Sequence, residues 1–289
     1  NVGPNTITLT ATDTYGNSSI CTATVTIEDN VNPVAVCQNI TVQLDATGNV
    51  FIAAADVDGG SSDACGIASL AVNQDAFVCA EVGANTVTLT VTDNNGNSAT
   101  CDATVTVEDN VDPTPVCQSI TVQLDGTGNA AISATDVDNG SSDACGIASL
   151  VVSPNTFTCA EEGVNTVTLT VTDVNGNSST CTATVTVENN VTPAVSCQDI
   201  TVQLDATGNV SIVAADVDGG SNAACGIASL TVDPSAFTCA NVGPNTVTLT
   251  GTDNSGNTST CTAIVTVEDN IDPIDRTRIA MKLFGYGNN

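Results

Sequence analysis

The side chains able to do chemistry in this chain are carboxylates and cysteines, and their spacing points to cation binding and disulfide formation. A loop beginning at Asp56 reads DVDGGSSDACG; it recurs as DVDNGSSDACG from Asp136 and as DVDGGSNAACG from Asp216. Asp56, Asp58 and Asp63, like Asp136, Asp138 and Asp143, are closely spaced carboxylates on a glycine-rich backbone. Such a segment can wrap a hard, oxygen-seeking cation such as calcium. The likeness to a helix-flanked calcium loop is incomplete, because position 5 is Gly60 instead of Asp or Asn and position 12 is Ile67 instead of Glu. Asp63 also becomes Ala223 in the last copy. An Asx-rich loop capped by its own backbone hydrogen bonds accounts for the same residues.

A second acidic group precedes a proline: Glu108, Asp109, Asn110 and Asp112 before Pro113, with Glu28, Asp29 and Asn30, then Glu268, Asp269, Asn270 and Asp272, in equivalent places. Carboxylates crowded at a joint between two folded bodies repel one another unless something neutralises them, and no Lys or Arg lies nearby in sequence. Calcium would neutralise them; so would water and salt, if the side chains are fully exposed. Of the two groups the joints are the favoured calcium sites, and an ion bound there is expected to stiffen the chain.

The thirteen cysteines fall into four series: Cys21, Cys101, Cys181 and Cys261; Cys37, Cys117 and Cys197; Cys65, Cys145 and Cys225; Cys79, Cys159 and Cys239. There is no CxxC pair and no histidine, so a structural metal site fits them poorly. Cysteines at fixed spacing in small domains with thin cores are the habit of chains that fold where thiols oxidise, which places this one outside a reducing cytosol, in an extracellular or cell-surface setting. The pairing Cys37–Cys101 would join the first and last strands of a unit, and Cys65–Cys79 would staple its middle. The same reading gives Cys145–Cys159, Cys197–Cys261 and Cys225–Cys239 in the later units. Cys21 is expected to be unpaired, since the three cysteines that precede its equivalents are absent from the sequence.

Other chemistry is poorly served. With 32 acidic residues against three basic ones, the formal net charge is −29, and Arg276, Arg278 and Lys282 all lie near the C-terminal end. Nucleic acid and anionic lipid need Lys and Arg to replace counterions at phosphates, so both are excluded as partners. A glycosidase needs two acids placed across a cleft, which small repeated units do not suggest. No base, no anion-holding cation and no free nucleophile is left in the repeats, and catalysis is not expected. No apolar run approaches the length of a membrane span, so direct insertion is not expected; any export signal or anchor would lie outside this chain.

The elements that position these residues repeat every 80 positions without insertion or deletion, as CGIASL at 65, 145 and 225 and TVQLD at 41, 121 and 201. Units run over 31–110, 111–190 and 191–270, preceded by the C-terminal part of a truncated unit at 1–30 and followed by a non-repeat tail at 271–289. In TVTLTVTD, residues 86–93, Val87, Leu89 and Val91 alternate with threonine, the pattern of a strand with one buried face. CDATVTVE, residues 101–108, does the same, and Asn94, Asn95, Gly96 and Asn97 between them predict a hairpin. A second hairpin is expected from Ile40–Leu44 and Val50–Ala54 around a DATGN turn. Further strands are expected over Ile67–Val72 and around Phe77–Cys79.

No long helix is supported. Six or seven short antiparallel strands per unit, each with one apolar face, are best satisfied by two packed sheets. The fold class is therefore all-β: tandem immunoglobulin-like sandwiches arranged as an elongated array.

A unit with Asp112, Pro113 and Cys117, then Gly163, Val167, Thr168, Asp173, Gly176, Asn177, Cys181, Val185 and Val187, resembles the hyalin repeat. That family is an immunoglobulin-like β-sandwich module, and similar modules occur in large secreted or surface-anchored proteins of gliding bacteria of the Bacteroidetes kind. The resemblance covers about residues 1–270. It implies a sandwich whose terminal cysteines are bridged, here Cys117–Cys181, and an association with extracellular adhesion. Gln118, where the family often has proline, and the added Cys145 and Cys159 depart from its pattern. The expected function is thus a structural or adhesive repeat region, with a passive stalk or filament shaft as the alternative. Partners are adjacent repeats and, beyond them, surface glycans, proteins or further copies in a filament.

Rows of outward threonine, such as Thr86, Thr88, Thr90 and Thr92, supply β propensity without stickiness, and flat aromatic platforms for sugar stacking are missing. Triplets such as Asn39–Thr41 and Asn177–Ser179 would accept glycans only in a compartment with the right transferase. The tail RTRIAMKLFGYGNN carries all the positive charge and fits no repeat.

Overall fold

A computed structural model describes residues 2–271; Asp272 and the basic tail lie outside the described residues. Alternating β-branched and polar residues form strands wherever that pattern runs, and Asn, Asp and Gly interrupt them. The leading segment contributes β1 (Gly3–Thr12) and β2 (Ser18–Ile27). The first full repeat contributes β3 (Ile40–Gln43), β4 (Asn49–Phe51), β5 (Ile67–Val72), β6 (Ala76–Val78), β7 (Gly83–Asp93) and β8 (Ser98–Glu108). The second supplies β9 (Ile120–Gln123), β10 (Asn129–Ala131), β11 (Ile147–Ser153), β12 (Thr156–Thr158), β13 (Gly163–Asp173) and β14 (Ser178–Glu188). The third supplies β15 (Ile200–Gln203), β16 (Asn209–Ser211), β17 (Ile227–Asp233), β18 (Ala236–Thr238), β19 (Gly243–Asp253) and β20 (Thr258–Glu268). Helix is confined to single turns such as Ala134–Val137, and no helix among the described residues is long and apolar enough to cross a membrane.

Each repeat is a sandwich of a four-stranded and a two-stranded sheet. In the first, the orders are β3-β8-β7-β5 and β4-β6, and the same orders recur in the other two. The long hairpin pairs Leu89 with Cys101 and Val87 with Ala103. The expected hairpin of residues 40–54 does not form. β3 runs parallel to β8, with Ile40 opposite Val105, while β4 pairs with β6 in the other sheet. The DATGN turn therefore carries the chain from one sheet to the other, and the strand set is mixed instead of wholly antiparallel. An alternating strand satisfies its apolar face equally in either direction, so the pattern alone does not select the partner.

By compactness the chain divides into two units, one of Asn1–Thr114, Ser141–Ser149 and Val171–Ser179, the other of Pro115–Gly140, Leu150–Thr170 and Thr180–Asn289. The first thus includes a loop and a hairpin turn belonging to the second sequence repeat. Its core is Leu44, Ile52, Val57, Phe77, Val87, Leu89, Val91, Ala103, Val105 and Val107. The second unit repeats it at Leu204, Ile212, Val217, Phe237, Val247, Leu249, Ala263, Val265 and Val267. Burial comes from the predicted face: Val87, Leu89 and Val91 are all 0% exposed. The leading hairpin pairs Leu9 with Cys21 in the same register, yet Ile7 and Leu9 are 55% and 67% exposed because no strand covers that face.

Candidate cation sites and bridges at the repeat joints

The sites are built on the turns of the long hairpins. Asp93 is 1% exposed and ends β7. Its Oδ1 accepts the N–H groups of Asn95 and Asn97 at 2.8 and 2.9 Å, and Asn97 Nδ2 donates to Oδ2 at 2.8 Å. Burial pushes the carboxyl up, but the hydrogen bonds from Asn97, Asn95 and Gly96 outweigh it and hold its pKa below the ordinary value. The same Asn97 amide reaches the carbonyl of Asp29 at 3.1 Å, so the turn grips the backbone of the joint that precedes its repeat. Asn177 does this between Asp173 Oδ2 (2.8 Å) and the Asp109 carbonyl (3.0 Å), and Asn257 between Asp253 Oδ2 (3.0 Å) and the Asn189 carbonyl (2.9 Å).

Against each turn the structure sets one acid from the preceding joint and one from the loop of the same repeat. Carboxylate oxygens of Asp109 and Asp143 lie within 4.8 Å of each other and of Cys145 Sγ; Asp29, Asp63 and Cys65 repeat the arrangement. Asp109 is 7% exposed, its Oδ1 accepts the N–H of Val111 at 3.1 Å, and its Oδ2 is buried with no hydrogen-bond partner among the described residues. Two unit charges no more than 4.8 Å apart repel by at least about 3 kcal/mol at an effective dielectric of about 20. No basic residue is present in the repeats to offset it.

Neither sequence cluster assembles whole; each contributes one acid to a shared place. Glu108 is exposed and accepts from Gln43 Nε2 at 2.7 Å, and Asp112 is exposed. Asp56 and Asp136 reach back to the N–H of Ala53 and Ser133, both at 2.7 Å, closing single helical turns. Asp58 accepts the N–H of Ser61 at 2.9 Å, and Asp138 that of Gly140 at 3.4 Å. The loop reading as an Asx-capped turn therefore describes Asp56, Asp58, Asp136 and Asp138, and it holds for Asp63 and Asp143 too, which accept the N–H of Cys65 and Cys145, both at 2.7 Å, while their carboxylates also lie beside the joint acids. A signal for this pairing was present in the sequence. In the third repeat the loop acid is Ala223 and the joint acid is Asn189, so both carboxylates vanish together.

The cysteines form five bridges. Cys37–Cys101, Cys117–Cys181 and Cys197–Cys261 tie the segment just before the first strand of each repeat to its last strand. Cys79 is bonded to Cys145 and Cys159 to Cys225, each joining one repeat to the next across 66 residues. The expected pairs Cys65–Cys79, Cys145–Cys159 and Cys225–Cys239 are therefore not formed. β5 runs between Cys65 and Cys79 and spans roughly 20 Å at about 3.3 Å per residue, whereas the strand that follows, β6, has three residues and cannot bring the chain back. Cys65 stays beside the joint acids and Cys79 at the other end, against the next repeat's loop. Gly48 lets that end close: its φ is +76°, and an added Cβ would lie 2.6 Å from Cys79 Sγ and 3.3 Å from Ala144 Cβ.

Cys21 and Cys65 are free, exposed thiols. Hydrogen bonding to Asp29, then burial, then the charges of Asp29, Asp63 and Asp93 raise the pKa of Cys65 above the usual thiol value. Cys239 is exposed, with Sγ 3.6 Å from the carbonyl oxygen of Gly208.

No protein-family model matches the chain, and no curated protein matches it. Among solved structures it is similar to extracellular cadherin domains 1–4 of protocadherin gamma B7, at 15% identity and a TM-score of 0.29, over 69% of this chain and 66% of that one. It is similar to the extracellular domain of protocadherin gamma B4 at 13% identity and a TM-score of 0.34, over 91% of this chain and 53% of that one. Immunoglobulin domains 1–4 of Sidekick-1 match at 8% identity and a TM-score of 0.31, over 92% and 95% of the two chains. This chain thus spans about half the length of the gamma B4 domain and just under two thirds of the gamma B7 fragment. The fold assignment rests on the strand pairing within the chain itself.

Proposed function

We propose that this chain is a non-enzymatic structural or adhesive segment of an extracellular or cell-surface protein, built from hyalin-repeat-like sandwiches over 31–110, 111–190 and 191–270. The observation that carries the reading is the pair of bridges, Cys79–Cys145 and Cys159–Cys225, that join one repeat to the next. Such bonds form and persist in oxidising compartments. They also make the neighbouring repeat the first partner of every repeat.

Surface glycans, proteins or further copies of the chain are the partners proposed beyond that. In keeping with the non-enzymatic reading, one depression lacks a second acid. A depression of 490 Å³ beside Phe157 is lined by Asp125, Asn129, Ala130, Ala131, Thr156 and Thr158. Its one carboxylate, Asp125, is engaged by Thr127 through the N–H at 2.8 Å and the hydroxyl at 2.6 Å.

The test is to screen the oxidised full chain against arrays of glycans and surface proteins, with sedimentation to detect self-association, and against panels of sugars, peptides and esters. Saturable binding without turnover is expected. Specific binding to nothing would leave a passive stalk, and hydrolysis abolished by replacing one carboxylate would overturn the non-enzymatic reading.

A further inference from the structure

We infer that the joint before the second repeat binds a calcium ion through Asp109 and Asp143, and that Asp29 and Asp63 bind another one repeat earlier. Each of the two acids at the second place commits one oxygen to its own turn, Asp109 to Val111 N–H and Asp143 to Cys145 N–H at 2.7 Å, whereas Asp173 has both oxygens engaged, one by the N–H groups of Asn175, Gly176 and Asn177 and the other by Asn177 Nδ2; of the first two acids one oxygen each is left. What remains faces a shared space. Asp109 Oδ2 is buried there with no hydrogen-bond partner among the described residues, and an oxygen of Asp143 lies within 4.8 Å of the Asp109 carboxylate. Two oxygens that share a calcium ion, each bonded at about 2.3–2.6 Å, stand no more than about 5.2 Å apart, and the Asp109 and Asp143 oxygens lie inside that limit. The nearby sulfur of Cys145 is in a disulfide and is no ligand for a hard cation.

The third joint shows what happens when the ion is not needed. Asn189 stands where Asp109 does, and Ala223 where Asp143 does. The Asn189 amide turns its Nδ2 onto Asp253 Oδ2 at 3.1 Å and Ser255 Oγ at 2.9 Å. Asp253 is the equivalent of Asp173, so in the third repeat the joint meets this turn acid with an amide donor where the second has the carboxylate of Asp109. Two acids replaced together, one of them by an amide that donates to its neighbours, fits loss of a metal better than drift of an exposed acidic surface. The site rests on these groups and is independent of the location proposed above.

Equilibrium dialysis of the full oxidised chain against calcium, in enough salt to suppress diffuse binding, should find two saturable sites. The variant D109N/D143A carries the residues with which the third repeat already folds, and it should retain one. Adding D29N/D63A should leave none, while N189D/A223D in the otherwise unchanged chain should gain a third. An unchanged strand signal by circular dichroism would confirm that each variant is folded. No saturable binding at millimolar calcium, unchanged stoichiometry in D109N/D143A, or no gain in N189D/A223D would overturn the assignment.

Discussion

An aspartate opens each sheet-crossing turn and each long-hairpin turn, and the state of its carboxylate decides whether the turn holds. Asp45, Asp125 and Asp205 each accept the hydroxyl of the threonine two positions on at 2.6 Å, and that bond, with the N–H groups behind it, lowers their pKa values. Asp93, Asp173 and Asp253 are lowered despite burial. A carboxyl whose folded pKa lies below its unfolded value of about 3.9 contributes stability that is complete above that value and is lost as pH falls through the folded pKa. The melting temperature is therefore expected to hold steady from neutral pH down to about pH 5 and to fall below about pH 4. Asp125→Asn should weaken that acid-dependent fall, and thermal melts across pH would show it; a curve unchanged by the substitution would remove the turn from the account. Gly128 faces a steric limit instead. Its φ is +79°, and an added Cβ would meet Cys159 Sγ at 2.7 Å. Gly128→Ala should cost at least about 1 kcal/mol from the left-handed backbone alone, read as a lower denaturation midpoint, whereas Gly126→Ala, where nothing lies within 4 Å of the new carbon, should cost far less.

Strands were the most legible part of the sequence because one face of each is chemically marked. Leu89 lies 0% exposed between Val87 and Val91, and Leu89→Ala is expected to cost about 2–5 kcal/mol, as deletion of a well-packed core leucine does. Thr86→Ala, on the exposed face of the same strand, should stay within about 0.5 kcal/mol. Urea denaturation of both variants would test whether the alternation reports burial, and equal costs would refute it. The same alternation is silent on direction and partner. Ile40 and Val42 mark a face, but nothing in them says that β3 lies parallel to β8, so the sheet-crossing turn at Asp45–Asn49 reads like a hairpin. The acids behaved similarly. Their presence at two places was legible, whereas the meeting of Asp109 with Asp143 depends on one element from each of two successive repeats. Only the joint change to Asn189 and Ala223 linked them in the sequence.

Periodicity itself hid the bridge pattern, because Cys145 is Cys65 advanced by one repeat and either residue satisfies the spacing from Cys79. The two pairings differ in what they do to the whole chain. Bridges at 37–101, 79–145, 117–181, 159–225 and 197–261 have overlapping spans, so every peptide bond from Cys37 to Cys261 lies inside at least one closed loop. Pairing within repeats would leave the joints, such as residues 182–196, outside every loop. A single cut at a joint distinguishes them. The repeats contain no Lys or Arg, so Asn190→Arg creates one trypsin site between Cys181 and Cys197, spanned only by Cys159–Cys225. Asn190 is exposed and its side chain donates to Gln123 Oε1 at 2.8 Å, a contact whose loss the sandwich should tolerate. With thiols blocked, the oxidised protein is opened in urea and cut. It should migrate as one species without reductant and as two with it. Adding Cys159→Ser and Cys225→Ser should release two fragments under both conditions. Separation of the singly substituted chain without reductant would show that the repeats are not bridged to one another. Persistence as one species would mean that a chain nicked by a protease at a joint is still covalently continuous, a property suited to the structural role proposed.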